Sequence, residues 1–387
     1  MSLQFVFGPS GGGKSYYLYE KIIEEAKKDR TKDFLLIVPE QFTMQTQKEL
    51  VERSKNHAIM NIDVLSFERL AFRVFDELGM YQIRILEETG KNLILRRLTE
   101  EYGDSMSVLG SNLKKMGYVS EIKSLISEFM QYQITPEDIE AWCEDEDNAW
   151  SFRLKMKDIL VIYRKFLEYL EGSYITSEEV LEECAKTAGR SVMLKDCNLI
   201  FDGFTGFTPV QVNLLKTLFP MTDRVWVAVT LDKRVDPFCV TGIQELFHMS
   251  QKMVRTLLEL ADEAKCEVLE PIWVEDGRQY RYGNAKALLH LEENLFRSSL
   301  KAYPKEQDEI QIQSCQNRKE ELEFAAATIS RMVREEDYRY RDFAIVSGAA
   351  ADYANYVKEI FEAYGIPYFM RKRPSCFIRL LNFYGHR

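Results

Sequence analysis

The sequence predicts an α/β fold with a parallel sheet, a helical block inserted into it, and the beginning of a second α/β domain behind it. Three observations support this. Short apolar runs alternate with amphipathic stretches at both ends of the chain, as βαβ units require. The first run leads straight into a glycine-rich loop and a helical stretch, MSLQFVFGPSGGGKSYYLYE. Residues 84–188 repeat apolar positions at three and four residues with almost no strand signal.

The elements follow in order. Residues 3–7, LQFVF, form an apolar run ending at Gly8. YYLYEKIIEEAKK has helical spacing and closes on lysines, which suit the negative end of a helix dipole. DFLLIVPE is a buried-type strand stopped by Pro39, and FTMQTQKELVERS is a second helix. NIDVLSF is a third strand, and ERLAFRVFDELG is a helix closed by Gly79. TGKNLILRRLTEEY, EIKSLISEFMQYQI, PEDIEAWCEDED and FRLKMKDILVIYRKFLEYLEG are the helices of the block, with the acidic CEDED stretch as a solvated face. Sheet signals return with CNLIFDGF at 197–204 and RVWVAVTL at 224–231. The helix between them, TPVQVNLLKTLFP, carries Pro209 near its start, where proline is tolerated. NAKALLHLEENLFRSS, RKEELEFAAATISRMVRE and DYANYVKEIFEAYG are further helices, and EIQIQSC, DFAIVSG and IPYFM are strands. The chain therefore reads as a first domain over 1–83 and 189–283, an insertion over 84–188, and an incomplete second domain over 284–387.

Composition bounds the function. Of 387 residues, 46% are hydrophobic and 29% charged, which suits a globular protein of two or three domains. A net charge of −10 excludes a uniformly basic nucleic-acid coat but permits a local basic channel. Seven cysteines, at 143, 184, 197, 239, 266, 315 and 376, form no CxxC pair, and the four histidines show no paired spacing. These features predict reduced packing thiols, no metal centre of His and Cys, and a cytoplasmic protein. No apolar stretch reaches the roughly 20 residues of a membrane span, and no signal peptide is read before the first strand.

Gly8, Pro9, Ser10, Gly11, Gly12, Gly13, Lys14 and Ser15 fit GxxxxGK[ST] between a strand and a helix. Glycines let backbone N–H groups turn inward as an anion nest at a positive helix end. Lys14 is expected to reach the β and γ phosphates of ATP, and Ser15 to coordinate Mg²⁺. A carboxylate for that Mg²⁺ is expected at the end of a nearby strand, and Asp202 ends the run Asn198 to Phe201.

LIFDGFTGFTPVQ resembles the segment of superfamily 1 DNA helicases in which an aspartate–glutamate pair follows a hydrophobic strand. LLIVPEQFTMQTQ, VLSFERLAFRVF and RKEELEFAAATISRMVREEDYRYRDFAIVSGAAADY resemble further helicase segments in the same order. Together with the phosphate loop, the set resembles the AddB family, which forms part of the bacterial AddAB helicase–nucleases, over residues 3 to about 370. The resemblance implies a RecA-like, superfamily 1 helicase-like fold and a role in processing double-strand DNA ends for recombinational repair. It implies an AddA-type partner that carries the active motor, and recognition of the Chi sequence. A nuclease and an iron–sulfur cluster are expected only beyond residue 387, and MRKRPSCFIRLLNFYGHR fits the family poorly.

Several departures point to a degenerate motor. The water-activating glutamate is replaced by Gly203, and RVWVAVTLDKR lacks the GDxxQ pattern of active helicases. With the first strand read from residue 3, no adenine-reading glutamine is expected ahead of it, and Gly348 stands where the resemblance expects an arginine from the second domain to reach the γ-phosphate. DNA contacts are expected from Gln41, Phe42 and Thr43 after the second strand and from Ser66 and Phe67 after the third. For each, packing or helix capping is the competing role. Tyr338, Arg339, Tyr340 and Arg341 read as a loop entering the next strand, with stacking on bases or phosphate contact as the competing role. Three alternatives remain open: an active superfamily 1 ATPase whose water is activated by Glu40 or by the partner, a small-molecule kinase, and a scaffold with a vestigial loop.

Overall fold

The structure, a computed structural model, describes residues 1–82, 84–103, 106–110, 116–171, 174–274, 281–297 and 301–370. The chain forms two compact units, Met1–Tyr303 and Pro304–Arg387.

The first unit is built on one sheet. Its strands are β1 (Ser2–Gly8), β2 (Phe34–Ile37), β3 (Ile62–Leu65), β6 (Asn198–Phe201), β7 (Arg224–Thr230) and two short strands, β8 (Glu267–Val268) and β9 (Ile272–Trp273). The order is β3-β2-β6-β7-β1-β8, with β9 also on β1, and every pair in it is parallel. Side-chain alternation explains why residues 3–7 of β1 read as an apolar run interrupted only at Gln4. Leu3, Phe5 and Phe7 enter the core on one face, while Val6 enters the core on the other. Helices α1 (Lys14–Lys28) and α2 (Thr43–Arg53) cover the Val6 face through Leu18, Ile22 and Leu50. The opposite face is covered by α3 (Phe67–Glu77), α8 (Glu179–Thr187), α9 (Pro209–Leu218) and α10 (His248–Glu263). Fully burying one such leucine stabilises the fold by about 1.5–3 kcal/mol.

The helical block contains α4 (Glu88–Tyr102), α5 (Met116–Gln131), α6 (Pro136–Glu144) and α7 (Trp150–Leu170). It has its own core, including Leu95, Ile126, Ile139, Ile162 and Phe166. Thr135 and Asp138 form a capping box that starts α6, with Pro136 in its first turn. A two-residue parallel ladder between β4 (Ile85–Leu86) and β5 (Ile175–Thr176) joins the points where the chain enters and leaves the block. Helix α8 falls inside the expected insertion, but Val180, Leu181 and Cys184 pack into the core of the sheet. The block itself therefore ends before α8.

Two further differences concern the C-terminal part. Residues 284–303, expected in the second domain, belong to the first unit. Within them α11 (Lys286–Asn294) is followed by Arg297, which pairs with Asp232 at 2.8 Å, and Arg234 donates to the Glu293 carbonyl at 3.0 Å. In the second unit, α12 (Arg318–Glu335) and α13 (Ala350–Ala363) pack through Leu322, Ala326, Ile329, Ile360 and Phe361, joined by Ile366. The strands expected in EIQIQSC, DFAIVSG and IPYFM form no ladder among the described residues. A strand needs a partner to pair its backbone, and alternate side chains here have none. Phe343 and Ile366 rest on the helices, whereas Val346 is 93% exposed and Phe369 95% exposed.

Candidate functional site

The loop after β1 is shaped by backbone crowding. Gly13 caps α1 at φ 93°, and Gly11 stands at φ 73°, both in the left-handed region that favours glycine. A side chain on Gly12 would meet the Val274 carbonyl at 2.7 Å and the Pro9 carbonyl at 3.0 Å, and one on Gly8 would strike the same Val274 carbonyl. Val274 is held there because its N–H donates to the Phe7 carbonyl at 2.8 Å, extending the β9–β1 pairing. Lys14 Nζ donates to the carbonyls of Gly8 (3.1 Å) and Pro9 (2.9 Å), so the ammonium sits at the mouth of the loop. The first N–H groups of α1 lack intrahelical acceptors and lie at the positive end of its dipole. The loop is thus a cradle for anionic oxygens with a cation beside it. Ser10 is exposed at its tip.

Asp202 follows β6 and is 7% exposed. Its N–H donates to the Ile37 carbonyl at 3.1 Å, which ties it to the end of β2. Tyr19 lies one helical turn after Ser15 on α1, and its Oη donates to Asp202 Oδ2 at 2.9 Å. The same hydroxyl lies 3.4 Å from Thr46 Oγ1 on α2. Burial, then the Asp202 charge, pushes the Tyr19 phenol well above its ordinary range. Ser15 and Asp202 are hard oxygen donors, one of them anionic, beside a phosphate-type cradle, so the residues present fit a magnesium nucleotide.

A glycine follows Asp202, and two carboxylates near the strand ends are ion-paired. Gly203 stands at φ 79°, where an added Cβ would lie 3.3 Å from Pro39 Cδ. Asp232, just past β7, is buried and ion-paired to Arg234 and Arg297. The hydrogen bond from Arg234 holds its carboxyl below the usual carboxylate range. Glu40 pairs with Arg69 at 3.0 Å.

Sequence reasoning missed two residues at the loop. The Arg281 side chain lies where a Gly11 Cβ would stand, and the Tyr282 ring comes to 3.2 Å of that position. They bring a guanidinium and an aromatic face to the cradle from within the first unit. No spacing pattern marks them; only the tertiary fold brings them to residue 11.

The residues singled out for DNA divide by environment. Gln41 and Phe42 lie in a short 3₁₀ turn, Glu40–Phe42, and are exposed. Thr43 is buried and its hydroxyl donates to the Glu40 carbonyl at 3.0 Å. Ser66 is buried and caps α3 by accepting from the Arg69 backbone N–H. Phe67 is buried against Phe201, Phe204 and Phe207, with ring centroids 5.6–6.0 Å apart. A cavity of about 340 Å³ joins these loops to the helical block, lined among others by Glu40, Ser66, Phe67, Glu68, Glu178 and Gln211. Burial, reinforced by the charges of Glu40 and Glu178, raises the Glu68 carboxyl above its usual range.

Among the described residues, no group of three or more His, Cys, Asp or Glu is placed to hold a metal ion, and the six described cysteines form no disulfide. Cys376 and the tail from residue 371 onward lie outside the described residues. No described helix is long and apolar enough to cross a membrane.

Residues 5–292 match the family model described as ADDB, N-terminal. Three curated relatives are each named as the B subunit of an ATP-dependent helicase/deoxyribonuclease. The one from Lachnoclostridium phytofermentans is 42% identical over 376 residues, covering 96% of this chain and 32% of the relative. The one from Clostridium tetani is 32% identical over 385 residues, with the same coverages. The one from Caldanaerobacter subterraneus is 31% identical over 370 residues, again at 96% and 32%. The chain thus spans about a third of the length of the curated relatives it matches.

Proposed function

The chain belongs to the AddB N-terminal family, and from that premise we propose that it is the helicase-like N-terminal part of a protein that processes double-strand DNA breaks. In this reading it holds ATP with Mg²⁺ on the loop Gly8–Ser15 without driving rapid hydrolysis. Its partners are DNA, as single strand and duplex ends, and an AddA-type helicase–nuclease. End resection, Chi recognition, the nuclease and the iron–sulfur cluster belong to the assembled full-length protein, in the cytoplasm.

One observation carries the nucleotide reading: a glycine cradle whose every crowded position excludes a side chain, with Lys14 at its mouth and Asp202 across the sheet edge. The cradle N–H groups and Lys14 bind the phosphates, Arg281 adds a second positive charge, and Ser15 and Asp202 hold the cation. Magnesium, when bound, neutralises phosphate charge. Water activation is the weak link, because Gly203 carries no carboxylate and Asp232 and Glu40 are paired to arginines. Gln41 and Phe42 offer an amide and an aromatic face to DNA, with Thr43, Ser66 and Phe67 fixing the surface beneath them.

A titration with a fluorescent ATP analogue tests the site. Binding in the presence of Mg²⁺ is expected, and Lys14→Ala should weaken it by about ten- to a hundredfold, the loss of charge-assisted hydrogen bonds. No detectable binding by the unaltered protein would sink the nucleotide reading. Rapid DNA-stimulated hydrolysis that disappears in Lys14→Ala would overturn the degenerate motor.

A further inference from the structure

Asp202 is a buried carboxylate whose two oxygens have different surroundings. Oδ2 accepts from the Tyr19 phenol at 2.9 Å. Oδ1 accepts no hydrogen bond among the described residues, yet it is not one of the buried polar atoms sealed away without a partner. Tyr19 itself is buried, and the same α1 that starts with Lys14 and Ser15 carries it. Residues four apart share a helix face, so Tyr19 stands on the Ser15 side of α1. A carboxylate on a single strand end can rotate about χ2; a hydrogen bond to one oxygen removes that freedom. The bond is charge-assisted and shielded from water, which makes it strong for a neutral donor.

We propose that Tyr19 is a positioning residue of the metal half of the site: its hydroxyl fixes Asp202 by one oxygen and leaves the other to a hard divalent cation shared with Ser15. The proposal rests on the reading of Gly8–Ser15 and Asp202 as a magnesium nucleotide site. It assigns to α1 a second task. The helix presents its N-terminus to phosphate and, one turn later, sets the carboxylate that completes the cation shell. The 3.4 Å approach of the same hydroxyl to Thr46 Oγ1 steadies the phenol from α2. A phenylalanine at position 19 would fill the core equally well, so packing does not account for the hydroxyl. The phenol stays protonated throughout the neutral range, since burial and the neighbouring Asp202 oppose its ionisation.

The experiment compares the unaltered chain with Tyr19→Phe, Asp202→Asn and the double variant. Each is titrated with a fluorescent ATP analogue across a Mg²⁺ series and again in excess chelator, with bound Mn²⁺ followed by paramagnetic resonance. Tyr19→Phe should raise the Mg²⁺ or Mn²⁺ concentration at half-effect by about tenfold while leaving nucleotide affinity in chelator unchanged. The double variant should be no worse than Asp202→Asn, because the hydroxyl acts only through that carboxylate. An unchanged cation midpoint in Tyr19→Phe, or effects of the two substitutions that simply add, would overturn the positioning role while leaving the nucleotide site standing. Nucleotide binding that is indifferent to the cation in the unaltered chain, with Asp202→Asn silent, would overturn the metal reading and this proposal with it. Thermal melting checks that Tyr19→Phe folds. If it does not, 3-fluorotyrosine placed at position 19 answers the question: its fluorine resonance should shift when Mg²⁺ is added to the nucleotide complex, and an unmoved resonance refutes the contact.

Discussion

Gly203 shows how a single residue can bear on the proposed lack of rapid hydrolysis. The backbone there is left-handed at φ 79°, and the space a Cβ would need faces Pro39. The position favours glycine, so an acidic side chain there would be strained. Gly203→Ala should destabilise the first unit by roughly 1–2 kcal/mol, read from urea unfolding. Gly203→Glu should bear a similar cost and still not raise ATP turnover. A fast, DNA-stimulated ATPase in that variant would show that the missing carboxylate alone silences the motor. Tyr19 makes a separate, pH-dependent prediction. Its folded pKa is raised, so the folded state keeps a proton that the unfolded state releases above about pH 10. The stability it contributes is fully present below that pH and falls as the pH rises further. Tyr19→Phe should flatten the alkaline decline in melting temperature.

At the scale of elements, the junction between the sheet and the helical block depends on one buried cation. Lys91 on α4 is 2% exposed and donates to Glu178 at 2.6 Å, Ser177 at 3.1 Å and Glu88 at 3.2 Å. It joins the first helix of the block to the segment between β5 and α8, where the chain returns to the sheet. Lys91→Ala leaves Glu178 half-unpaired in a low-dielectric site and should cost about 3–5 kcal/mol in unfolding free energy. Burial by itself would raise the Glu178 carboxyl; the charge and hydrogen bonds of Lys91 outweigh it and hold the group below its ordinary range. A depressed carboxylate contributes stability above about pH 4, and that contribution is lost as the pH falls through the folded value. The deficit of the Lys91→Ala variant relative to the unaltered chain should therefore be largest near neutral pH and shrink as the pH falls through the carboxylate range, read from urea unfolding at several pH values. This clasp was not legible in the sequence. The periodicity of TGKNLILRRLTEEY announces a helix, but nothing in it says that the lysine faces inward.

At the scale of the molecule, the chain divides between Tyr303 and Pro304, after α11 and Arg297 have been tied to Asp232. A chain ending at residue 303 should fold and keep the nucleotide binding proposed for the loop Gly8–Ser15, which circular dichroism and the fluorescent ATP titration would check. Loss of cooperative melting in that fragment would show that the first unit needs the second. Sequence pattern puts the division twenty or so residues earlier, because a helix and a following loop look alike whichever unit they pack on. The same limit explains the strands expected in the second unit. DFAIVSG and IPYFM have strand composition, but pairing is decided by a partner backbone, and composition cannot supply one.

Local structure is written in the chain itself. The run LQFVF, the loop GPSGGGKS and the helix YYLYEKIIEEAKK lie end to end, so their chemistry is fixed by neighbours along the chain. The parallel sheet was legible for a related reason: strands buried on both faces must be continuously apolar. Helix α10 and the short strands β8 and β9 were not read, being either polar on their exposed faces or only two residues long. Tertiary structure alone decided which distant groups meet. Tyr19 reaches Asp202 across 183 residues because α1 packs on the strand edge that Asp202 ends. Arg281 meets Gly11 although 270 positions separate them in the sequence, and Gly203 lies against Pro39 because β6 pairs with β2. Such contacts follow from strand order, which is set by the packing of the whole sheet and leaves no mark at any one position of the sequence.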